Sequence, residues 1–381
     1  MRVAFYAPMK APSHPSPSGD RRLGRLLMQA LHGAGHDVEL ASVLRSYDRG
    51  DSVRQAKIQA LGGKLANRLV QHYLRRPRSR RPQLWFTYHL YHKAPDWIGP
   101  VVCKALAIPY MVAEASHAPK QSGGPWDRGY RATERTIINA DLVISLNEND
   151  NGCLLPLLQN PDRLVSLKPF IDTQPFALAA DNRAARRQKL AADLGLDADV
   201  PWLVVAAMMR GDQKLKSYRV LATALARLGH LPWRLLVVGD GAARDQVGHA
   251  LANIAERTVW LGQRPHTDLP RIFAAADLYV WPAIKESFGL AFLEAQAAGL
   301  PVVGGKSGGV AGVVEHGQSG FLVAEGDSAA FAEAVAQLLT DQAKRQAMGL
   351  LAQKRTLQEH GLEGAIKGLD QAIGAMMKRV Q

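Results

Sequence analysis

Two glutamates eight residues apart, Glu286 and Glu294, flank a run whose residue types suit a phosphate. Ser287 has the side chain of a helix N-cap, Gly299 stands where a helix C-terminal glycine belongs, and Pro301 bars continuation. The spacing therefore predicts a helix over 287–298, between short β-rich runs at 277–282 and 300–303. At 3.6 residues per turn Glu294 comes round to roughly the face of Glu286, about 10–12 Å along the axis. Between them the helix start offers the amides of Phe288, Gly289 and Leu290 to an anion. A ligand with polar ends and a central diphosphate fits that arrangement.

Other elements must hold this helix in place. β-rich runs at 202–207, 233–238, 258–261, 278–281, 302–304 and 321–323 alternate with amphipathic stretches over the second half, and runs at 2–7, 37–41, 83–88, 108–113 and 141–146 do so over the first. Such alternation predicts an α/β architecture of doubly wound parallel sheets, in which ligands bind at the carboxyl ends of the strands. In the second half Arg210, Lys214 and Lys216 follow the first run, and a turn at Gly239 after the second allows close backbone approach to a nucleoside. In the first half a Pro- and Ser-rich connection ends at Gly19, before a helix that begins near Asp20. Tyr88, His89, Tyr91, His92 and Lys93 follow the third run there, and Glu114, Ser116, His117 and Lys120 the fourth. The two clusters together are read as acceptor contacts. The stretch 328–379 reads as helix, broken near Gly361.

Composition limits the class. At 381 residues the chain has room for two domains, and no apolar run approaches membrane-spanning length. With Val3-Ala4-Phe5-Tyr6 reading as a first strand and not a signal peptide, a cytoplasmic protein is expected. Cys103 and Cys153 are the two cysteines and lack metal-ligand spacing, and Asp197-Ala198-Asp199 reads as a polar turn. Of the net charge of +13, residues 1–175 carry +10, concentrated at Arg75, Arg76, Arg78, Arg80 and Arg81 after an amphipathic helix over 53–73. That segment suits an anionic membrane surface or a lipid-linked acceptor as well as it suits a solvated loop. A nucleic-acid partner is not expected, because aromatic residues do not interleave the arginines and Tyr73 alone adjoins them.

Glu286 and Glu294, with Phe288-Gly289-Leu290, Glu294-Ala295 and Gly299-Leu300-Pro301-Val302-Val303, resemble the signature of retaining glycosyltransferases of family 4, also called group 1. The likeness covers residues 200–330 well and 1–200 in outline. It implies the GT-B fold: two Rossmann-like doubly wound parallel-sheet domains facing a central cleft. Residues 1–175 would form the acceptor side, 176–360 the nucleotide-sugar side, and 361–381 a helix crossing back to the first domain. The segment 167–176, LKPFIDTQPF, resembles the one that closes the first domain, and 172–200 is read as the connection.

The resemblance further implies hexosyl transfer, with retention, from a nucleotide-diphosphate sugar to an acceptor hydroxyl in polysaccharide or glycolipid synthesis, with no cofactor and no metal. Glu286 would stabilise the anomeric centre and Glu294 would hold the ribose. The start of the helix at Ser287, Phe288, Gly289 and Leu290, with Arg210 and a lysine, would hold the diphosphate. The family usually places that arginine and lysine five residues apart; here Lys214 and Lys216 lie four and six from Arg210, with Lys214 slightly favoured. Gly19 matches one glycine of the family's first loop, and either Glu114 or His117 occupies the place of a histidine common near the end of the fourth strand. Ala311-Gly312 replaces a common Pro-Glu pair, with Glu315 the acid nearby. A nucleotide-sugar epimerase of the same fold and a non-catalytic binding member are the alternatives.

Overall fold

A computed structural model describes residues 1–380, and the chain divides into two units: Met1–Lys168 together with the helix Leu362–Val380, and Pro169–Gly361. Each is built on a six-stranded, all-parallel sheet. The first holds β1 (Arg2–Tyr6), β2 (Asp37–Ser42), β3 (Leu84–Leu90), β4 (Tyr110–Ala115), β5 (Leu142–Ser145) and β6 (Leu164–Ser166), in the order β2-β1-β3-β4-β5-β6. Val3, Ala4, Phe5 and Tyr6 are all buried, as are Leu84, Trp85 and Phe86, because helices cover both faces of a parallel sheet and leave no solvent side. Phe5 stacks on Phe86 of the next strand, ring centroids 5.3 Å apart. β6 was not legible as a strand: it has three residues, none of them buried, and no apolar run.

A buried carboxylate ties the middle of this sheet together. Asp96 accepts from Thr87 Oγ1 at 2.6 Å, Trp85 Nε1 at 3.2 Å, Tyr110 OH at 3.0 Å and the amides of Ile98 and Gly99 at 2.8 Å each. Five donors offset part of the cost of burying this carboxyl, which burial still holds above its usual pKa, and they fix β3, β4 and the helix Gly99–Leu106 to one another.

The second sheet holds β7 (Trp202–Ala206), β8 (Arg234–Val238), β9 (Thr258–Gly262), β10 (Leu278–Trp281), β11 (Val302–Gly305) and β12 (Gly320–Val323), in the order β12-β11-β10-β7-β8-β9. At the entry to β10, Asp277 accepts from Arg183 Nη2, Arg187 Nη1 and the Trp202 amide, each at 2.8 Å. The stretch expected as a connection thus contains two helices, Gln174–Ala180 and Arg183–Leu194, that belong to this unit, and Asp199 N bonded to Asp197 Oδ1 at 2.8 Å makes the polar turn. The last helical stretch is broken twice. Asp341 ends Ser328–Thr340 and caps Gln342–Glu359 by accepting from Lys344 N at 2.8 Å, and a second break at His360 and Gly361 precedes Leu362–Val380. Among the described residues no helix is long and apolar enough to cross a membrane.

Candidate active site

In the second sheet the chain moves outward from β7 through β8 to β9, then returns to β10 on the other side, so the switch point lies between β7 and β10. A crevice forms where the loops leaving such strands diverge. Those two loops carry Arg210 and Glu286, with Lys214 just inside the helix Gln213–Ala226. Asp212 caps this helix by accepting from Lys214 N at 3.0 Å, which sets Lys214 in its first turn. Lys214 Nζ is paired with Glu286 Oε2. Trp281 Nε1, at the end of β10, donates to the same oxygen at 3.2 Å, and Lys214 Nζ stands 5.3 Å from the Trp281 ring centroid. The indole is itself held edge-on by Tyr218, 5.1 Å away. A cation and a carboxylate fixed side by side can meet charge of either sign as it develops on a ligand. Lys216 lies exposed on the same helix, and Arg210, half exposed, pairs with Asp212 at 3.2 Å.

The helix that follows Glu286 begins at Leu290, capped by Gly289 at φ 68°, and not at Ser287. Ser287 makes no cap, and Glu286, Ser287 and Phe288 belong to a loop, so Glu286 and Glu294 do not share one helical face. The loop is shaped by tertiary contacts. Ala283 and Lys285 adopt left-handed conformations, φ 56° and 49°, which cost roughly 1–2 kcal/mol each for residues with a Cβ. A glycine pair from the next loop presses on it: a Cβ at Gly308 would lie 2.0 Å from the Glu286 carbonyl oxygen, and one at Gly309 2.3 Å from that of Ser287. The far end of the helix fits expectation. The Gly299 amide bonds to Gln296 O at 2.9 Å and that of Leu300 to Ala295 O at 3.1 Å, the pairing of a glycine C-cap. Glu294 is buried inside this helix, its Oε1 2.9 Å from Nε2 of His266, whose ring meets Phe176 edge-on.

The first sheet has its own switch point, between β1 and β3. Four carboxyl-end segments bring titratable groups together there. Asp20, in the first turn of Gly19–Gly33, pairs with His89 Nδ1 at 3.0 Å; Glu114 ends β4, and Asp150 follows β5. His89 and Glu114 are both left-handed, φ 63° and 57°. Burial alone lowers the His89 pKa, but the charges of Glu114, Asp20 and Asp150 overcome it and raise the imidazole to about 9. Burial pushes Glu114 up to about 7 against the pull of the His89 cation. Tyr88 is 1% exposed and close enough to Glu114 to influence its titration, yet neither the Tyr88 hydroxyl nor Glu114 Oε2 has a well-formed hydrogen bond.

His117 is held by Glu134 at 3.1 Å and stacks on Tyr130, which turns it toward the helix Asp127–Ile138, so Glu114 is the residue that joins His89. Burial, with Lys93 and Lys120, lowers His92 to about 4. Gly239 has φ 139°, and a Cβ there would lie 2.0 Å from Ala207 O; packing between the loops after β7 and β8 already requires this glycine. Gly19 opens its helix exposed, and a Cβ added there would meet nothing within 4 Å. Glu315 pairs with Arg355 at 3.4 Å. Of the basic segment, Arg76 is bound to Glu39 at 2.9 Å and Arg81 donates to the carbonyls of Leu74 and Arg76, leaving Arg75, Arg78 and Arg80 exposed. Among the described residues no group of three or more His, Cys, Asp or Glu is arranged for a metal ion. Sequence reasoning missed Trp281, His266, Asp20 and Asp150 as members of these sites. The tryptophan alone carried a signal, as an indole at the end of a β-rich run five residues before Glu286.

Residues 188–355 match the family model described as glycosyl transferases group 1. The chain is 34% identical over 226 residues to a D-inositol 3-phosphate glycosyltransferase of Stackebrandtia nassauensis, covering 56% of this chain and 49% of that protein. To the protein of the same description from Corynebacterium diphtheriae it is 30% identical over 269 residues, covering 67% and 61%. The chain thus spans about half to three fifths of the length of these relatives. Among solved structures, sucrose-phosphate synthase from Thermosynechococcus elongatus superposes with a TM-score of 0.77 at 20% identity, covering 99% of both chains. HepE of Anabaena in complex with UDP and glucose gives 0.70 at 18%, covering 98% of this chain and 99% of that one. These structural likenesses establish the GT-B fold.

Proposed function

We propose, for a chain that belongs to the glycosyl transferases group 1 family through residues 188–355, that it moves a hexose from a nucleotide-diphosphate sugar to an acceptor hydroxyl with retention at the anomeric carbon. The observation that carries this reading is the Lys214–Glu286 pair, set at the switch point of the second sheet and braced by Trp281. When the bond from the anomeric carbon to the diphosphate breaks, the electron pair leaves with the nucleotide. Lys214 and Arg210, with the helix start at Leu290, meet that negative charge, and Glu286 faces the electron-poor anomeric centre. The acceptor oxygen then forms the new bond to the anomeric carbon on the face the diphosphate leaves, and its proton passes to the oxygen of the departing diphosphate. Glu294, buried with one oxygen on His266, is assigned to the ribose.

Solved complexes of HepE contain UDP or UDP-glucose, which supports a nucleoside diphosphate sugar as the donor class. The first unit is assigned to the acceptor through His89, Glu114 and Gly19. Arg75, Arg78 and Arg80, beside the exposed Leu74, are assigned to an anionic membrane surface that would present a lipid-linked acceptor in polysaccharide or glycolipid synthesis.

A thermal-shift panel of nucleotide sugars, followed by product analysis with and without acceptor sugars, tests the reading. Stabilisation by one donor and acceptor-dependent release of its nucleotide is the expected result. A rearranged sugar formed at the same rate without acceptor would point to an epimerase, and no shift with any nucleotide would defeat the donor assignment.

A further inference from the structure

The group at the carboxyl ends of β1, β3, β4 and β5 has a definite chemical character. Three carboxylates, Asp20, Glu114 and Asp150, surround one imidazole, His89, and the charges acting most on Glu114 are those of His89, Asp20 and Asp150. Two basic side chains of the neighbouring loops are turned onto aromatic rings, Arg45 over Tyr47 at 4.8 Å and Lys93 over Trp126 at 4.7 Å. Two residues with side chains, at adjacent strand ends, are held left-handed, a conformation that persists where the surrounding structure imposes it and that gathers at ligand sites. The Tyr88 hydroxyl and Glu114 Oε2 are buried without a well-formed hydrogen bond, although buried polar groups are paired as a rule.

We propose that the acceptor seated here is an uncharged sugar or polyol, gripped through its hydroxyls by Glu114, Tyr88 and the His89–Asp20 pair, and that a phosphorylated counterpart is rejected. The proposal rests on the assignment of this unit to the acceptor. A sugar hydroxyl can donate to Glu114 and accept from Tyr88, so one ligand group satisfies both atoms. A phosphate oxygen only accepts, and its charge faces an acidic excess. Repulsion of a phosphate a few ångströms from such a cluster, at the effective dielectric of a protein surface, lowers affinity about tenfold or more. The relatives from Stackebrandtia and Corynebacterium are described by a phosphorylated acceptor, so the charge of this cluster would set the present chain apart from them.

Saturation-transfer NMR on the full chain, with glucose against its monophosphate and myo-inositol against its monophosphate, reads the preference without any donor. The neutral member of at least one pair is expected to bind about tenfold more tightly than its phosphate. Glu114→Gln should weaken the neutral sugar at least about fivefold, and Asp20→Asn should narrow the gap within the pair; thermal unfolding of both variants checks that they fold. A phosphate that binds as well as its parent sugar, or failure of both neutral sugars to bind, overturns the proposal. Thermal shift by UDP on the same samples reports on the second unit separately. Loss of that shift with the sugar preference intact would fault the transferase reading and leave the charge preference standing.

Discussion

Replacing Trp281 by Phe removes one hydrogen bond from Glu286 while keeping an aromatic ring against Tyr218. The lost bond, 3.2 Å from an indole donor to a carboxylate, is of the charged kind that contributes about 1.5–3 kcal/mol. Glu286 is about one fifth exposed and keeps Lys214, which brings the expected loss to about 1–2 kcal/mol. At 1.36 kcal/mol per factor of ten, kcat should fall roughly five- to thirtyfold. The donor KM should stay within about threefold, because the nucleotide is held elsewhere. The smaller ring also leaves a void in a site that is 2% exposed, which should lower stability by about 1–2 kcal/mol. Steady-state kinetics with the donor found by the thermal-shift panel, beside urea unfolding, separates the two effects. An unchanged kcat in a folded Trp281→Phe protein, or a change confined to KM, would refute the role given to the indole.

Gly308→Ala should cost about 2 kcal/mol or more of stability and most of the activity, since its Cβ would collide with the backbone of Glu286; urea melts and turnover measure both. The His89 imidazole should titrate near pH 9 by NMR and fall toward its ordinary value in Glu114→Gln. Both folded pKa values are raised, so the stability these two groups contribute is fully present below about pH 4.5 for Glu114 and 6.5 for His89, and is lost as pH climbs through about 7 and 9; chemical unfolding from pH 5 to 9 should show that decline. Liposome sedimentation with anionic lipid should weaken with salt and with Arg75, Arg78 and Arg80 replaced together by Ser, each worth roughly 1 kcal/mol. Arg76→Ala should instead lower stability, through the Glu39 pair and the Tyr73 contact.

Much of the fold was legible because both sheets are parallel and buried, so the central strands appear as apolar runs bounded by Gly, Pro and polar residues. β6 escaped because an edge strand of three residues buries too little to mark itself. The helix after Glu286 starts three residues later than its sequence suggests for a different reason. Ser287 has the side chain of a cap, but the backbone from Ala283 to Gly289 is set by Gly308 and Gly309 from another loop, and no local pattern reports such a contact. Glu286 and Glu294 stand out as a pair on an argument from helical phase that the structure removes. Lys214 and Lys216 could not be separated by spacing, because the answer turns on where the helix begins; the Asp212 cap settles that start and brings Lys214 to Glu286. His266 reaches Glu294 across 28 residues, and Asp20 reaches His89 across 69, distances at which periodicity says nothing.

The most direct test of the Lys214–Glu286 assignment is proton NMR of the reaction with the preferred donor and a neutral sugar acceptor, run on the parent chain, Glu286→Gln and Lys214→Ala. The expected result is a product whose anomeric configuration matches that of the donor. Both variants should lose at least about tenfold in turnover while Glu286→Gln still binds the nucleotide. Inversion in the product, or turnover in Glu286→Gln equal to that of the parent, would contradict it.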